Sequence, residues 1–290
     1  MTPGLAAAYA YCERLARTHY ENFPVASVLL PPRMRPHVAA IYAFARIADD
    51  MADEGARPAP ARLADLDDWE RRLDEAAGDG PLPREAHGDV FLALRQTMRD
   101  CRLPPQLFRD LVSAFRQDVT TTRYATWDAV LDYCRRSANP VGRLVLRVAG
   151  YENAALDAAS DAVCTALQLA NFWQDFEIDW RKGRLYVPAS IWQPAGASER
   201  DLDRRALTPQ WRSALADVTG RTRALFAAGR PVCDGVGGRL RYELRATWLG
   251  GSTILDKLEA ADFDVFARRP TLTKADVPSL VWRTLCWTRA

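Results

Sequence analysis

Lysine and histidine are nearly missing from this 290-residue chain. Only Lys182, Lys257 and Lys274 are lysine among 39 basic residues, and only His19, His37 and His87 carry imidazoles. So little histidine argues against zinc sites and against the Glu-x-x-His pairs of a di-iron bundle. The six cysteines (Cys12, Cys101, Cys134, Cys164, Cys233, Cys286) form no C-x-x-C pair, and they read as buried thiols in a reducing cytoplasm. No apolar run approaches the ~20 residues that span a bilayer. The opening MTPGLAAAYAYCERLARTHY has no basic start and meets Glu13 and Arg14 early, so no signal peptide is expected. No basic run is interleaved with aromatics, so nucleic acid is not expected as a partner. There is no repeat, low-complexity tract or composition shift, and a chain that is 48% hydrophobic can bury a sizeable core; one domain over 1–290 is expected.

What the chain does have is arginine, alanine and leucine. Arginine's planar fork suits phosphate and carboxylate, although a GC-rich genome gives the same bias. Apolar residues recur at helical spacing and no stretch alternates like a strand, which predicts an all-α fold. Helices are expected over 4–20, 33–54, 61–77, 85–100, 105–117, 127–150, 153–179, 208–229 and 236–260. The breaks fall at FPVAS and LLPP, GARPAPA, GDGPLP and the long GRLYVPASIWQPAGASERD.

Two of these helices, HVAAIYAFARIADDMADE and DAVCTALQLANFWQDFEID, are apolar nearly all the way round, as in the interior of a bundle. Polar residues on them need an internal reason. At about 100° per residue, Tyr42, Arg46, Asp49 and Asp53 fall within roughly 60° of one another, with Asp50 and Glu54 on the adjoining edge. By the same arithmetic Gln168, Asn171, Asp175 and Asp179 form a stripe about 80° wide. Either cluster alone reads equally as a helix end emerging into water. Against that, acids at a helix C-terminus oppose its dipole unless cations compensate.

Carboxylates and an amide oxygen one turn apart are hard ligands of the kind Mg²⁺ takes when it also binds phosphate. Two such clusters facing each other would hold several ions around one diphosphate, whose departure they would ease. If the organic part is a prenyl chain, the departure leaves a carbocation that needs a dry pocket. Phe23, Tyr42, Phe44, Phe172 and Trp173 are candidates to line it, with core packing as the alternative for each.

These residues give the chain its resemblance to the squalene and phytoene synthase family, the head-to-head trans-isoprenyl diphosphate synthases, over about residues 5–275. AIYAFARIADDMADE resembles the family's first aspartate-rich motif and ALQLANFWQDFEIDWRKGRLYVP its second. The resemblance implies an isoprenoid synthase helical bundle with a central cavity. It implies that Asp49 and Asp53, with Asp50 at the edge, and Asn171, Asp175 and Asp179 are magnesium ligands. Gln168, Arg46, Arg184 and Tyr186 match positions lining the diphosphate site or its covering loop; among the aromatics, Phe23 and Phe172 are the candidates for binding substrate. Tyr133 matches a cavity tyrosine in a helix kinking at SANPVG, where Pro140 and Gly142 interrupt the ladder.

The segments HYENFPVASVLLP, YCRRSANPVGRLVL and NFWQD are most similar to the hydroxysqualene-forming branch. That branch ionises presqualene diphosphate and captures the rearranged cation with water, so Mg²⁺ and no NADPH are expected. The chain carries no Gly-rich dinucleotide fingerprint. A departure from carotenoid-type relatives is His19-Tyr20-Glu21-Asn22, which stands where they have a serine-rich phosphate contact.

Three other readings stay open: condensation of two prenyl diphosphates, a prenyl diphosphatase, and a non-catalytic helical scaffold at a membrane. The expected location is the cytoplasm, with reversible contact at the inner membrane face. The tail VPSLVWRTLCWTRA, with Val281, Trp282, Leu285 and Trp287 beside arginines, is either an interfacial anchor or packed on the bundle. Arg268 and Arg269 either reach the diphosphate or sit at the surface, and the surface is expected. The oligomeric state is left open.

Overall fold

Helices follow the apolar periodicity through almost the whole chain. The computed structural model of the protein describes residues 2–18, 29–53, 57–82, 86–205 and 207–288. Among these residues there is no strand; one isolated bridge pairs Arg123 with Leu185. The chain clusters into two compact units, residues 1–120 with 140–157, and 121–139 with 158–290.

The first unit holds α1 (Pro3–Thr18), α2 (Arg35–Asp53), α3 (Ala59–Ala77), α4 (Gly88–Cys101) and α5 (Pro105–Thr120). At its centre is α2, packed on all four of the others. It can occupy that place because Val38, Ala39, Ala40, Ile41, Ala43, Phe44, Ile47, Ala48 and Ala52 are buried around most of its circumference. Phe44 lies 5.5 Å from Trp69, 6.1 Å from Phe91 and 5.4 Å from Phe108, ring centre to ring centre. It is therefore a core residue, which decides between the two roles open for it. Beside it Arg72 lies over the rings of Phe91 and Trp69 and donates to the Ala86 carbonyl, a cation held by π faces and a backbone oxygen.

Two expected helices are divided. The one predicted over 127–150 is α6 (Trp127–Ser137) and α7 (Asn139–Val148), parted at Ala138. The break falls just before Pro140, which disfavours helical geometry in the residue ahead of it and cannot donate to the ladder. Thr126 opens α6 by accepting from the Ala129 amide at 3.2 Å. The one predicted over 153–179 ends as α8 (Ala154–Gln174) and resumes as α9 (Phe176–Arg181).

The second unit is built round the greater part of α8. Its neighbours are α12 (Pro209–Gly229) and α14 (Gly238–Ala260), and small residues allow the approach. A Cβ on Gly229 would stand 2.5 Å from Val163 and 2.7 Å from the Ala159 carbonyl; one on Gly251 would stand 2.6 Å from both Leu167 and Phe226. Trp173 is fully buried and donates to Thr222 Oγ1 at 2.8 Å; like Phe44 it belongs to the core.

The segment expected to be one long connection contains α10 (Ala189–Trp192) and α11 (Glu199–Asp203); beyond it lie α13 (Val232–Gly235) and α15 (Val277–Leu285). The expectation of uniformly buried thiols fails at Cys286, which is exposed, and Cys101 and Cys164 are only half-buried.

Candidate active site

The first acidic stripe ends α2. Asp49 and Asp50 are half-buried and Asp53 is exposed, so the stripe runs from the packed part of the helix outward. Arg46 compensates the acids from one turn earlier. Its guanidinium lies 2.6 Å from Asp50 Oδ1 and 3.6 Å from Asp49 Oδ2. Arg62 of α3 donates to the Ala52 carbonyl at the helix end, a second cation where the dipole is negative. Tyr42, a turn before Arg46, is half-buried. Burial pushes its phenol above the ordinary value, Arg46 opposes this, and Asp49 and Asp50 add to it. Tyr42 is thus a neutral donor around pH 7.

The second stripe spans the junction of α8 and α9. The helix is interrupted at Asp175, yet its amide donates to the Asn171 carbonyl and the Asp179 amide donates to its own carbonyl, both at 2.8 Å. Asn171, Asp175 and Asp179 therefore keep one-turn spacing across the break. Asn171 Nδ2 donates to Asp175 Oδ2 at 2.9 Å. Arg269, 94 residues further along, pairs with the same carboxylate through Nε and through Nη2. Its neighbour Pro270 is fastened by Gln174, whose Nε2 donates to the Pro270 carbonyl at 2.5 Å. Arg269 is exposed, as expected, and it is also the counter-ion of a predicted ligand.

Behind this stripe the structure gathers Phe172, Tyr186, Tyr133 and Tyr124, all buried. Phe172 and Tyr186 stack with centroids 3.6 Å apart at 6°. Tyr133 lies 5.9 Å from Phe172, and Tyr124 lies 5.7 Å from Tyr186 and 5.9 Å from Tyr133. Three of the four were predicted, and Tyr124 was not. It sits in a loop without periodicity, and no sequence signal singles it out.

The loop carrying Arg184 and Tyr186 is stitched down on both sides. The Arg184 amide donates to the Asp179 carbonyl and the Leu185 amide to that of Thr122. Arg123 donates to the Gly183 carbonyl at 2.6 Å and to Glu199 at 2.9 Å, with its guanidinium 5.0 Å over Trp180. Gln168 lies half-buried on α8. Phe23, the 19–22 tetrad and Glu54 lie outside the described residues.

The predicted ligands Asp49, Asp50, Asp53, Asn171, Asp175 and Asp179 offer hard oxygens, from five carboxylates and one carboxamide, and that set fits magnesium. Among the described residues no three His, Cys, Asp or Glu side chains are grouped so that they could hold a metal ion by themselves. Partial sets of this kind suit an ion that takes the rest of its shell from phosphate and water.

The model of the squalene/phytoene synthase family matches residues 16–276, which run through both units. A hydroxysqualene synthase of Rhodopseudomonas palustris is 40% identical over 221 residues, covering 76% of this chain and 73% of that protein. One of Zymomonas mobilis is 42% identical over 209 residues, covering 71% and 67%. A solved squalene synthase from Alicyclobacillus acidocaldarius is 39% identical, with a TM-score of 0.83 over 91% of this chain and 97% of the other. With both aspartate-rich segments in place on helices of the matching fold, the chain belongs to the squalene/phytoene synthase family.

Proposed function

We propose that the protein converts presqualene diphosphate and water to hydroxysqualene and diphosphate. The observation that carries the chemistry is the second stripe: the oxygens of Asn171, on α8, and of Asp175, at its junction with α9, lie close along the chain to Phe172, which is stacked in a buried aromatic cluster. The choice of reaction is supported by the hydroxysqualene synthases at 40% and 42% identity.

In this reading Asp49, Asp53, Asn171, Asp175 and Asp179, with Asp50 at the edge, hold the metal. Bound magnesium would neutralise charge on the departing diphosphate. The C–O bond breaks with its electron pair leaving on the diphosphate. Arg46 and Arg269, paired with acids in the free protein, add positive charge at the phosphate, with Arg184 and Gln168. Tyr42, held as a phenol, donates a hydrogen bond and takes no proton. The cyclopropylcarbinyl cation then rearranges against the faces of Phe172, Tyr133 and Tyr186, whose π electrons favour positive charge and which carry no strong nucleophile at neutral pH. Water forms the new C–O bond and gives up one proton to reach the alcohol.

No step consumes hydride, so NADPH is not required. Incubation with presqualene diphosphate and Mg²⁺, without NADPH, is expected to yield hydroxysqualene; recovered substrate, or squalene alone, would overturn the assignment. The solved relative named squalene synthase supports a second reading, condensation of two farnesyl diphosphates. Product from farnesyl diphosphate alone would favour that one.

A further inference from the structure

Among the described residues, the four most exposed large apolar side chains all lie on α15: Val277 and Val281 at 52%, Trp282 at 68% and Leu285 at 63%. At about 100° per residue they occupy one arc roughly 140° wide, while Thr284 faces inward. An apolar arc in water is ordinarily a sign of a loosely packed tail. Here both ends of the helix are fastened.

Before its first turn, Asp276 accepts from Lys257 Nζ at 2.7 Å and from the Thr273 amide and hydroxyl. After its last turn, Trp287 meets Trp248 edge-on at 5.4 Å, donates to Asp234 at 3.3 Å and lies under the Arg230 guanidinium. Arg230 also donates to the Thr288 carbonyl. The helix is rigidly presented with its apolar arc outward. Trp287, grouped with the exposed residues at the level of sequence, is part of the clamp.

Along residues 271–288 the exposed charge has one sign. The exposed charged residues between 271 and 288 are Lys274 and Arg283. The acid within that stretch, Asp276, is neutralised by Lys257, and Asp234 beneath Trp287 is neutralised by Arg245 at 2.7 Å. A short apolar arc with a tryptophan and flanking cations matches the interface of an anionic bilayer. Nine residues are too few to cross one, and no helix among the described residues is long and apolar enough to do so.

We infer that α15 docks the protein on an anionic lipid surface, with Val277, Val281, Trp282 and Leu285 entering the headgroup region and Lys274 and Arg283 facing lipid phosphates. The partner's identity rests partly on the proposed reaction, since a C30 alcohol leaves water for lipid. The geometry does not depend on it.

The test is flotation of the intact protein with phosphatidylglycerol/phosphatidylcholine vesicles and with pure phosphatidylcholine vesicles. The protein is expected to float with the anionic vesicles. Trp282→Glu/Leu285→Glu should lower that partition at least tenfold while keeping the thermal midpoint and turnover of detergent-dispersed substrate. Should that variant fail to fold, Lys274→Glu/Arg283→Glu, which leaves the arc intact, is expected to lower anionic-vesicle partition and to abolish its fall with added salt. Failure of the wild type to float, or flotation unaffected by these changes, would overturn the inference. So would sedimentation showing a wild-type dimer that Trp282→Glu/Leu285→Glu makes monomeric, since a second copy would then cover the arc. Turnover is read without vesicles, so failure of the proposed reaction is seen separately.

Discussion

The two acidic stripes solve the same electrostatic problem by different routes. On α2 the counter-ion is local: Arg46 reaches Asp50 and Asp49 from one turn away on the same helix. At the α8–α9 junction it is remote: Arg269 reaches Asp175 from 94 residues away, and Asn171 supplies a second donor. Clustered carboxylates in a partly covered site repel one another unless cations lie beside them. A local pair is fixed as soon as the helix forms, whereas a remote one exists only when the tertiary structure is complete. The second stripe is thus the one whose charge state reports on the whole second unit.

Breaking either stripe should have the largest effect. Asp49→Asn and Asp175→Asn are each expected to cut kcat by about 10²–10³-fold, the scale of losing one preorganised stabiliser of transition-state charge. Calorimetry should find the Asp49→Asn midpoint unchanged or raised, because repulsion with Asp50 is relieved. Asp175→Asn gives up a partly exposed pair and should cost no more than about 1 kcal/mol. Unfolding of both variants would instead make the acids structural.

The aromatic neighbours should divide along the same line. Phe172→Leu, next to the second stripe, is expected to lower turnover about tenfold with a stability loss under about 1.5 kcal/mol. Phe44→Leu, in the core behind the first stripe, should change urea stability by a similar amount and leave turnover per folded molecule unaltered.

Double-mutant cycles in urea would sharpen the contrast between counter-ions. The Arg269–Asp175 coupling is expected near 1 kcal/mol, and the Arg46–Asp50 coupling near 0.4 kcal/mol, as for a pair along a helix. The difference follows from geometry, since Arg269 meets Asp175 through both Nε and Nη2.

The smallest effect concerns a third acid, away from the stripes. The Lys257 ammonium beside Asp276 and the Thr273 donors hold its carboxyl down to about 2, below its ordinary 3.8. A depressed folded-state value stabilises above the unfolded value and is lost as pH falls through the folded one. Wild type should therefore unfold at a higher temperature than Asp276→Asn at pH 6, and the two should converge near pH 2.

Most of this was legible where the signal is local. The four residues Tyr42, Arg46, Asp49 and Asp53 lie on a single unbroken helix, so periodicity alone places them. The second stripe was legible although its helix breaks, because the backbone bonds at Asp175 and Asp179 preserve the turn. What escaped the sequence is what the fold brings from elsewhere. Arg269 sits in FARRP with no spacing to tie it to Asp175, and Tyr124 sits in a loop. Phe44 and Trp173 have the same composition as cavity residues, and only packing assigns them to the core. The helix α15 has nine residues, Val277–Leu285, too few for periodicity to distinguish it from a loose tail.

The central claim is that both stripes take up magnesium with diphosphate, and calorimetric titration of Mg²⁺ in the presence of inorganic diphosphate tests it most directly. Wild type should bind, and Asp49→Asn and Asp175→Asn should each weaken binding at least tenfold. Binding that survives unchanged in either variant would contradict the account.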